Sequence, residues 1–430
     1  MKNSNIQWIG TIPDSWYLDR LQWHLDEIKE SNNPVKTQQV LSLTNKLGVI
    51  PYEEKGEQGN KSKENVDEYK LAYPDTIVAN SMNILIGSVG KCNYFGCVSP
   101  VYYVFKPKNG ENIDFLNYIF QLTQFQKELR KYANGILEIR LRVSSNDILK
   151  RQIAFPSEKE QQRIVTFLDE KTAKIDQLIE IENKQIEKLK EYKQAVITEA
   201  VTKGLDKSAP MKDSGVEWIG EIPENWGIQK ILYQLKMPIT DGPHTTPELF
   251  SEGVAFVSAE AVSCGNGRID FNHIRGYISE EFYRECCLKY IPEMDDVYMI
   301  KSGATTGKVS IVTTLEPKFT IWSPLAVMRC DKSKMIPKFL YYAVQSIQFQ
   351  GQVALGWSFG TQQNLGMRTL EQLKILVPNI EIQQQVADYL DKNCADIEKL
   401  IEIKQKKIDM LNEYKKSLIY EYVTGKKEVV

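Results

Sequence analysis

Near its start the chain reads Trp8-Ile9-Gly10-Thr11-Ile12-Pro13-Asp14-Ser15-Trp16, and later Trp218-Ile219-Gly220-Glu221-Ile222-Pro223-Glu224-Asn225-Trp226, an offset of 210. Long-range self-similarity organises everything around it, and a second set of matches follows. From Pro156 and Pro378 the offset is 222. Gln161-Gln162 matches Gln383-Gln384, Leu168-Asp169 matches Leu390-Asp391, and Leu178-Ile179-Glu180-Ile181 matches Leu400-Ile401-Glu402-Ile403. Glu191-Tyr192-Lys193 and Val201-Thr202 carry the run into Glu413-Tyr414-Lys415 and Val423-Thr424 without a gap. The offsets differ by 12 residues, so the length difference falls between the two sets of matches. Each half is a shared opening, a divergent middle and a shared close, as expected when the ends do a common job.

Both closing segments read as helix. Positions seven apart give Leu168, Ile175, Glu182, Leu189 and Val196, interleaved with Thr172, Ile179, Ile186, Lys193 and Ala200. The copy gives Leu390, Ile397, Lys404, Leu411 and Leu418, with Cys394, Ile401, Ile408, Lys415 and Tyr422. A mostly apolar stripe with a period near 3.5 is a coiled-coil signature. At about 1.5 Å per residue each rod is roughly 65 Å long. The cheapest partner for such a stripe is its own copy, and two equal halves about a pseudo-twofold would run the helices antiparallel. Glu182 and Lys404, opposite charges at one core position, are candidates for fixing register. Gly204 and Gly425 are the stop signals.

The chain thus divides into an opening (1–29), a first middle domain (30–157), a long central helix (158–204), a linker with the repeated opening (205–225), a second middle domain (226–379) and a terminal long helix (380–430). Leu205 to Pro223 reads as linker. In the first middle, Ile77-Val78-Ala79 and Val98 to Phe105 read as strands and Phe115 to Tyr132 as one helix. In the second, Val254 to Val257, Val297 to Ile300, Val309 to Val312 and Thr320 to Arg329 read as strands, and Ile336 to Phe349 as the matching helix. Gly90-Lys91 and Gly307-Lys308, and Ser99-Pro100 and Ser323-Pro324, serve as shared landmarks. The expected fold class is α/β (α+β): two tandem domains of one fold with different loops, separated by two long helices in an antiparallel coiled coil.

Two motifs invite a catalytic reading and fail. Gly303-Ala304-Thr305-Thr306-Gly307-Lys308 resembles a phosphate-binding loop but has one residue too few between its glycines, and Val309 stands where Ser or Thr belongs. Asp14 with Glu27-Ile28-Lys29 loosely matches a metal-dependent nuclease pattern; the repeat does not reproduce it, and a turn followed by a helix is the better reading. There is no Gly-x-Gly-x-x-Gly, and no Asn-Pro-Pro-aromatic tetrad of an amino-methyltransferase. What remains suits the reading of bases. Arg130, Lys131, Arg140, Arg142, Lys150 and Arg151 cluster late in the first middle, where Lys91 is a further candidate. The second middle has Trp357, Ser358, Thr361, Gln362, Gln363 and Asn364 at the comparable place. Arg bonds guanine bidentately, and Gln or Asn bonds adenine. Loops such as His244-Thr245 and Lys301-Ser302 through Thr305, Thr306 and Lys308 suit phosphate contacts.

At 430 residues the chain has room for two to four domains. No stretch approaches the ~20 apolar residues of a membrane span, and the first residues lack the order of a signal peptide, so the expected location is the cytoplasm. Seven cysteines without a Cys-x-x-Cys pair and three histidines assemble no zinc site, and the cysteines read as core or bystander residues. The 54 Lys+Arg against 56 Asp+Glu leave a net charge of −2, while residues 30–157 carry +3 and residues 226–379 carry +1. Such a chain should not grip DNA by charge alone.

The whole pattern resembles the specificity subunit of type I restriction-modification systems. The resemblance rests on the Trp-Ile-Gly-x-Ile-Pro-x-x-Trp openings, Pro156-x-x-x-x-Gln161-Gln162-Arg163-Ile164 before a long helix, Lys301-Ser302-Gly303-Ala304-Thr305-Thr306-Gly307-Lys308-Val309, and the Val423-Thr424-Gly425-Lys426 close. The second copy departs mildly, reading Ile380-Glu381-Ile382-Gln383-Gln384-Gln385-Val386. The resemblance implies a non-catalytic subunit with two target recognition domains, each reading half of a split, asymmetric site in double-stranded DNA. It implies helices that set the spacing and dock two methyltransferase subunits, and a separate motor-nuclease subunit. S-adenosylmethionine, ATP and Mg are expected in those partners, with no cofactor or metal in this chain and no membrane contact. Alternative readings are the recognition subunit of a fused nuclease-methylase system, a coiled-coil protein-binding scaffold, or a nuclease using Asp14, Glu27 and Lys29.

Overall fold

The computed structural model describes residues 1–44, 48–55, 65–108, 110–135, 141–216, 219–357 and 364–429. The chain forms two units: Met1–Glu182 with Lys406–Val430, and Asn183–Gln405. The last stretch of the chain therefore completes the unit built by the first.

Each shared opening is a small antiparallel hairpin. Lys2–Asn3 pairs with Thr11–Ile12, and Met211–Asp213 pairs with Glu221–Pro223. Leu205 to Pro223 is accordingly not all linker. The repeat already includes Met1-Lys2 and Met211-Lys212, ahead of the tryptophan motif, in mostly polar residues that carry little apolar signal. Ser4 and Ser214 fix the turn in both copies, their hydroxyls accepting from the N–H groups of Ile6 and Val216 at 3.1 Å. The hairpins lead to Trp16 and Trp226, both buried. The chain then enters each middle on a strand that pairs antiparallel with the strand leaving it: Tyr17–Arg20 with Gln152–Phe155, and Gly227–Lys230 with Lys374–Val377. The shared ends meet in space and frame each middle.

Each frame holds a four-stranded antiparallel sheet of the same order. In the first unit it runs Leu25–Ile28, Tyr102–Pro107, Thr76–Asn80, Val89–Cys92; in the second, Thr240–Asp241, Leu325–Met328, Val297–Ile300, Val309–Ile311. The Leu25–Ile28 strand contains Glu27, so the helix expected there is a strand, its backbone held by Tyr102–Pro107. Divergence lies in the additions. The first middle adds the pairs Leu41–Thr44 with Gly48–Pro51 and Lys70–Ala72 with Gly96–Val98. The second adds a three-stranded sheet in which Val254–Val257 runs parallel to Phe319–Ile321 and antiparallel to Tyr277–Ile278.

The helices are α1 (Ile113–Gln121), α2 (Thr123–Arg130), α3 (Ser145–Leu149), α4 (Glu158–Lys203), α5 (Ala259–Cys264), α6 (Glu280–Cys287), α7 (Pro337–Ala343), α8 (Ile347–Leu355), α9 (Met367–Gln372) and α10 (Ile380–Val423). The single helices expected over 115–132 and 336–349 are each two. Leu122 is buried in an extended conformation between α1 and α2, which lets Phe115, Phe120 and Phe125 reach one core. Between α7 and α8, Ser346 starts a new helix by accepting from the N–H of Phe349.

In the first unit the beginning of α4 lies beside the end of α10, with Asp176–Lys415 at 2.7 Å and Glu182–Lys407 at 2.6 Å. In the second, the end of α4 lies beside the beginning of α10, with Lys193–Glu398 at 2.5 Å and a Lys404–Gln185 hydrogen bond. Partner numbers fall on α10 as they rise on α4, so the coiled coil is antiparallel. Shifting by 222 turns the Asp176–Lys415 pair into Glu398–Lys193, and Glu182–Lys407 into Lys404–Gln185. Each pair in one unit thus has in the other the counterpart that the repeat dictates. Leu168, Ile175, Ile186, Leu390, Ile397 and Ile408 are buried, and Ile179, Leu189, Ile401 and Leu411 are half-buried.

Candidate nucleic-acid interface

In the second unit three loops meet at one end of the four-stranded sheet. The strand Val297–Ile300 feeds the loop 301–308, which returns into Val309–Ile311 through Gly307 at φ +93°. The strand Thr240–Asp241 feeds 242–246. Asn364 bridges antiparallel to Ser302, and the Leu365 N–H donates to the Lys301 carbonyl at 2.7 Å. Pro243 accepts from the N–H of Ser323, and Pro324 from that of Lys301. Backbone hydrogen bonds thus hold together segments that are far apart in sequence.

A buried carboxylate braces the cluster. Asp241 is fully buried, and around it stand the Lys289 ammonium, Lys301 Nζ at 3.3 Å and His244 Nε2 at 3.1 Å. Burial works against its charge, but Lys289 and Lys301 outweigh burial and hold the carboxyl below the ordinary Asp range. Lys301 is itself buried, and its ammonium serves the brace. His244, Thr245, Lys308 and Asn364 are exposed; Ser302, Thr305, Thr306 and Trp357 are half-buried. The Thr306 hydroxyl is spent on the Gly303 carbonyl at 2.7 Å. Ser358, Thr361, Gln362 and Gln363 lie outside the described residues, as does Arg140.

The first unit repeats this geometry with other residues. Ala79 pairs with Val89 where Met299 pairs with Val309. The counterpart of the 301–308 loop is therefore 81–88, and Gly87 at φ +91° takes the place of Gly307. The landmark matching Gly90-Lys91 to Gly307-Lys308 is corrected: hydrogen-bond register assigns Gly87-Ser88. Lys91 sits within the Val89–Cys92 strand, held by Asp114 at 2.9 Å and Asp75 at 3.2 Å. The Val143 N–H donates to the Ser81 carbonyl at 3.2 Å, as Leu365 does to Lys301. Arg142 is exposed and reaches Met82 of the loop, its Nη2 lying 3.6 Å from the sulfur.

The basic cluster of the first middle is thereby split. Arg142 belongs to the loop end of the sheet. Lys131, Lys150 and Arg151 line an open groove with Arg20, Tyr132 and the Asn5–Trp8 turn of the opening. There the Arg151 guanidinium lies 3.4 Å from the Tyr132 ring centroid, and Lys131 pairs with Glu128 at 2.6 Å. Arg130 is exposed in the last turn of α2.

Among the described residues little suits covalent or metal chemistry. Burial pushes the thiols of Cys92, Cys97, Cys286 and Cys394 up to about 11 and that of Cys330 to about 12, so they stay protonated at neutral pH. Among the described residues no group of three His, Cys, Asp or Glu side chains is placed to hold a metal ion. Glu27 accepts from the Ser145 hydroxyl at 2.7 Å within the sheet, while Asp14 lies in the opening. No helix among the described residues is long and apolar enough to cross a membrane.

Comparison with known proteins agrees with this architecture. The model of the type I restriction modification DNA specificity domain matches twice, over residues 24–191 and 254–424. A Methanocaldococcus jannaschii chain provisionally named the MjaX type I restriction enzyme specificity subunit is 25% identical, covering 97% of this chain and 95% of its own. A solved structure described as the basis of complex assembly and conformational transition of the type I R-M system superposes with a TM-score of 0.70 at 13% identity, covering 96% of this chain and 98% of the other. The HsdS subunit from Thermoanaerobacter tengcongensis gives 0.50 at 13% identity over 99% and 100%. These two likenesses show the fold. With two specificity domains matched across most of its length, the chain belongs to the type I restriction-modification DNA specificity subunits, the non-catalytic components of those systems.

Proposed function

We propose that each middle domain reads one half of a split site in double-stranded DNA, and that α4 and α10 set the distance between the halves. The observation that carries this is one framework presented twice with different loop chemistry. The frame, sheet order and loop hydrogen bonds repeat, while Ser81, Met82 and Ser88 stand where Lys301, Ser302 and Lys308 stand. A protein that meets one partner twice and two different sequences once would be built this way.

The shared openings and helices then face what is common, two methyltransferase subunits, which bring S-adenosylmethionine. A motor-nuclease subunit supplies ATP- and Mg-dependent cleavage. The weakly basic middles support strong DNA binding only in the assembled complex, in the cytoplasm where those partners and the chromosome are found. Methylation-motif sequencing of cells with and without the gene tests the reading. A bipartite adenine-methylation motif should vanish on deletion; an unchanged methylome in cells expressing the gene sinks it.

A further inference from the structure

The register that corrected the loop landmarks also aligns one exposed position in the two units. Arg142 and Asn364 are 222 residues apart, the offset of the closing helices, and each immediately precedes a fully buried apolar residue, Val143 or Leu365. That residue donates its N–H to the first residue of the loop, Ser81 at 3.2 Å or Lys301 at 2.7 Å. Both positions are then followed by a helix N-cap, Ser144 before α3 and Gly366 before α9. The backbone of each is pinned: Arg142 exchanges hydrogen bonds with Asn134 at 2.8 and 2.9 Å, and Asn364 bridges Ser302. Beside Arg142 stands Met82, the counterpart of Ser302. Both side chains are exposed. A rigid backbone thus presents one side chain, at the same point of the same fold, next to the same loop.

The two side chains are chemically apt and different. A guanidinium offers two parallel donors, matching the O6 and N7 acceptors of guanine. A carboxamide offers one donor and one acceptor, matching N7 and N6 of adenine. A position that touched the common partner would gain from being the same in both units.

We propose that Arg142 and Asn364 are equivalent base-reading positions, with Arg142 selecting a guanine in one half-site and Asn364 an adenine in the other. The proposal rests on the DNA-reading function above and adds which residue sets which base.

The test uses the full chain in cells that carry its partner subunits, with methylation motifs read by sequencing. The native chain comes first: if its motif is bipartite, the functional reading stands and the test proceeds. R142N should replace guanine by adenine at one position of one half-site, leaving the other half and the spacing unchanged. N364R should do the converse in the other half-site. R142A and N364A should each relax a single position, lowering preference for the original base by roughly 10-fold, as for loss of one bidentate contact. Half-sites unchanged by R142A and N364A would overturn the proposal while leaving the DNA-reading function intact. So would changes at several positions at once, or in both halves. If R142N abolishes methylation, thermal melting of the purified complex together with R142A decides. A native melt with an unrelaxed R142A motif overturns the proposal, and a relaxed one supports it.

Discussion

Tyr118 and Tyr342 tie the recognition domains to the long helices by the same contact. Tyr118 on α1 donates to Asp169 of α4 at 2.6 Å, and Tyr342 on α7 donates to Asp391 of α10 at 2.8 Å. This is what the shared Leu-Asp pair does, and Gln161 and Gln383 beside it donate to the carbonyls of Pro156 and Pro378 at 3.2 and 2.9 Å. Asp391 also binds Lys338, whereas Asp169 meets the Tyr118 phenol at this joint. Tyr118→Phe should therefore cost more than Tyr342→Phe, by roughly 1–2 kcal/mol against about 1 kcal/mol, as read from thermal melts of the two variants. The repeat was legible in the sequence at these residues, but the bond was not, because neither tyrosine falls in a matched segment. Asp241 is a stronger case. Its two lysine partners stand 48 and 60 residues away, beyond any local pattern. Its carboxyl is held below its unfolded value near 3.8, so its contribution to stability is fully present above that value and is lost as pH falls through the native one. Asp241→Asn should remove this acid sensitivity, flattening the fall in urea midpoint below about pH 4. At neutral pH it should cost on the order of 3 kcal/mol, since Lys301 stays buried while Lys289 still reaches water.

At the level of elements, periodicity decided what could be read. The long helices were legible because a stripe of period near 3.5 runs for some forty residues in each. The breaks at Leu122 and Ser346 were not, because a buried leucine in an extended conformation looks like any core residue, and a serine is as common on a helix surface as at a cap. The landmark at Gly90-Lys91 misled for a related reason: residue identity suggested a match that only the pairing of Ala79 with Val89 could correct. Within the coiled coil the polar core positions are unequal. The Glu182 side chain is only 6% exposed whereas that of Lys407 is 54% exposed. Lys407→Ala removes the ammonium facing a buried carboxylate and should cost roughly 2 kcal/mol. Glu182→Leu replaces the carboxylate with apolar volume and frees a lysine that already reaches water, so it should be neutral or mildly stabilising. Chemical denaturation of both variants decides: a costlier Glu182→Leu would mean that the pair itself, rather than burial, governs this layer.

For the molecule as a whole, the informative fact is that α4 and α10 each run unbroken from one unit into the other. Each unit contains part of both helices, so neither helix can change length alone without shifting its stripe against the other. Seven residues restore the phase of the stripe and add about 10 Å of rise. That equals roughly three base pairs of B-DNA at about 3.4 Å each. Inserting one heptad in α4 after Glu182 and one in α10 before Lys406 should therefore lengthen the gap between the half-sites by about three base pairs and leave both half-site sequences unchanged. A heptad in one helix only should break the pairing of Asp176 with Lys415 or of Lys193 with Glu398, and with it recognition of any split site. The measurement is the methylation motif of cells expressing each variant with its partner subunits. Altered half-site bases at fixed spacing would place the spacer elsewhere in the chain. A lengthened gap would assign it to the two helices whose matching numbers, 222 apart, were the most legible feature of the sequence.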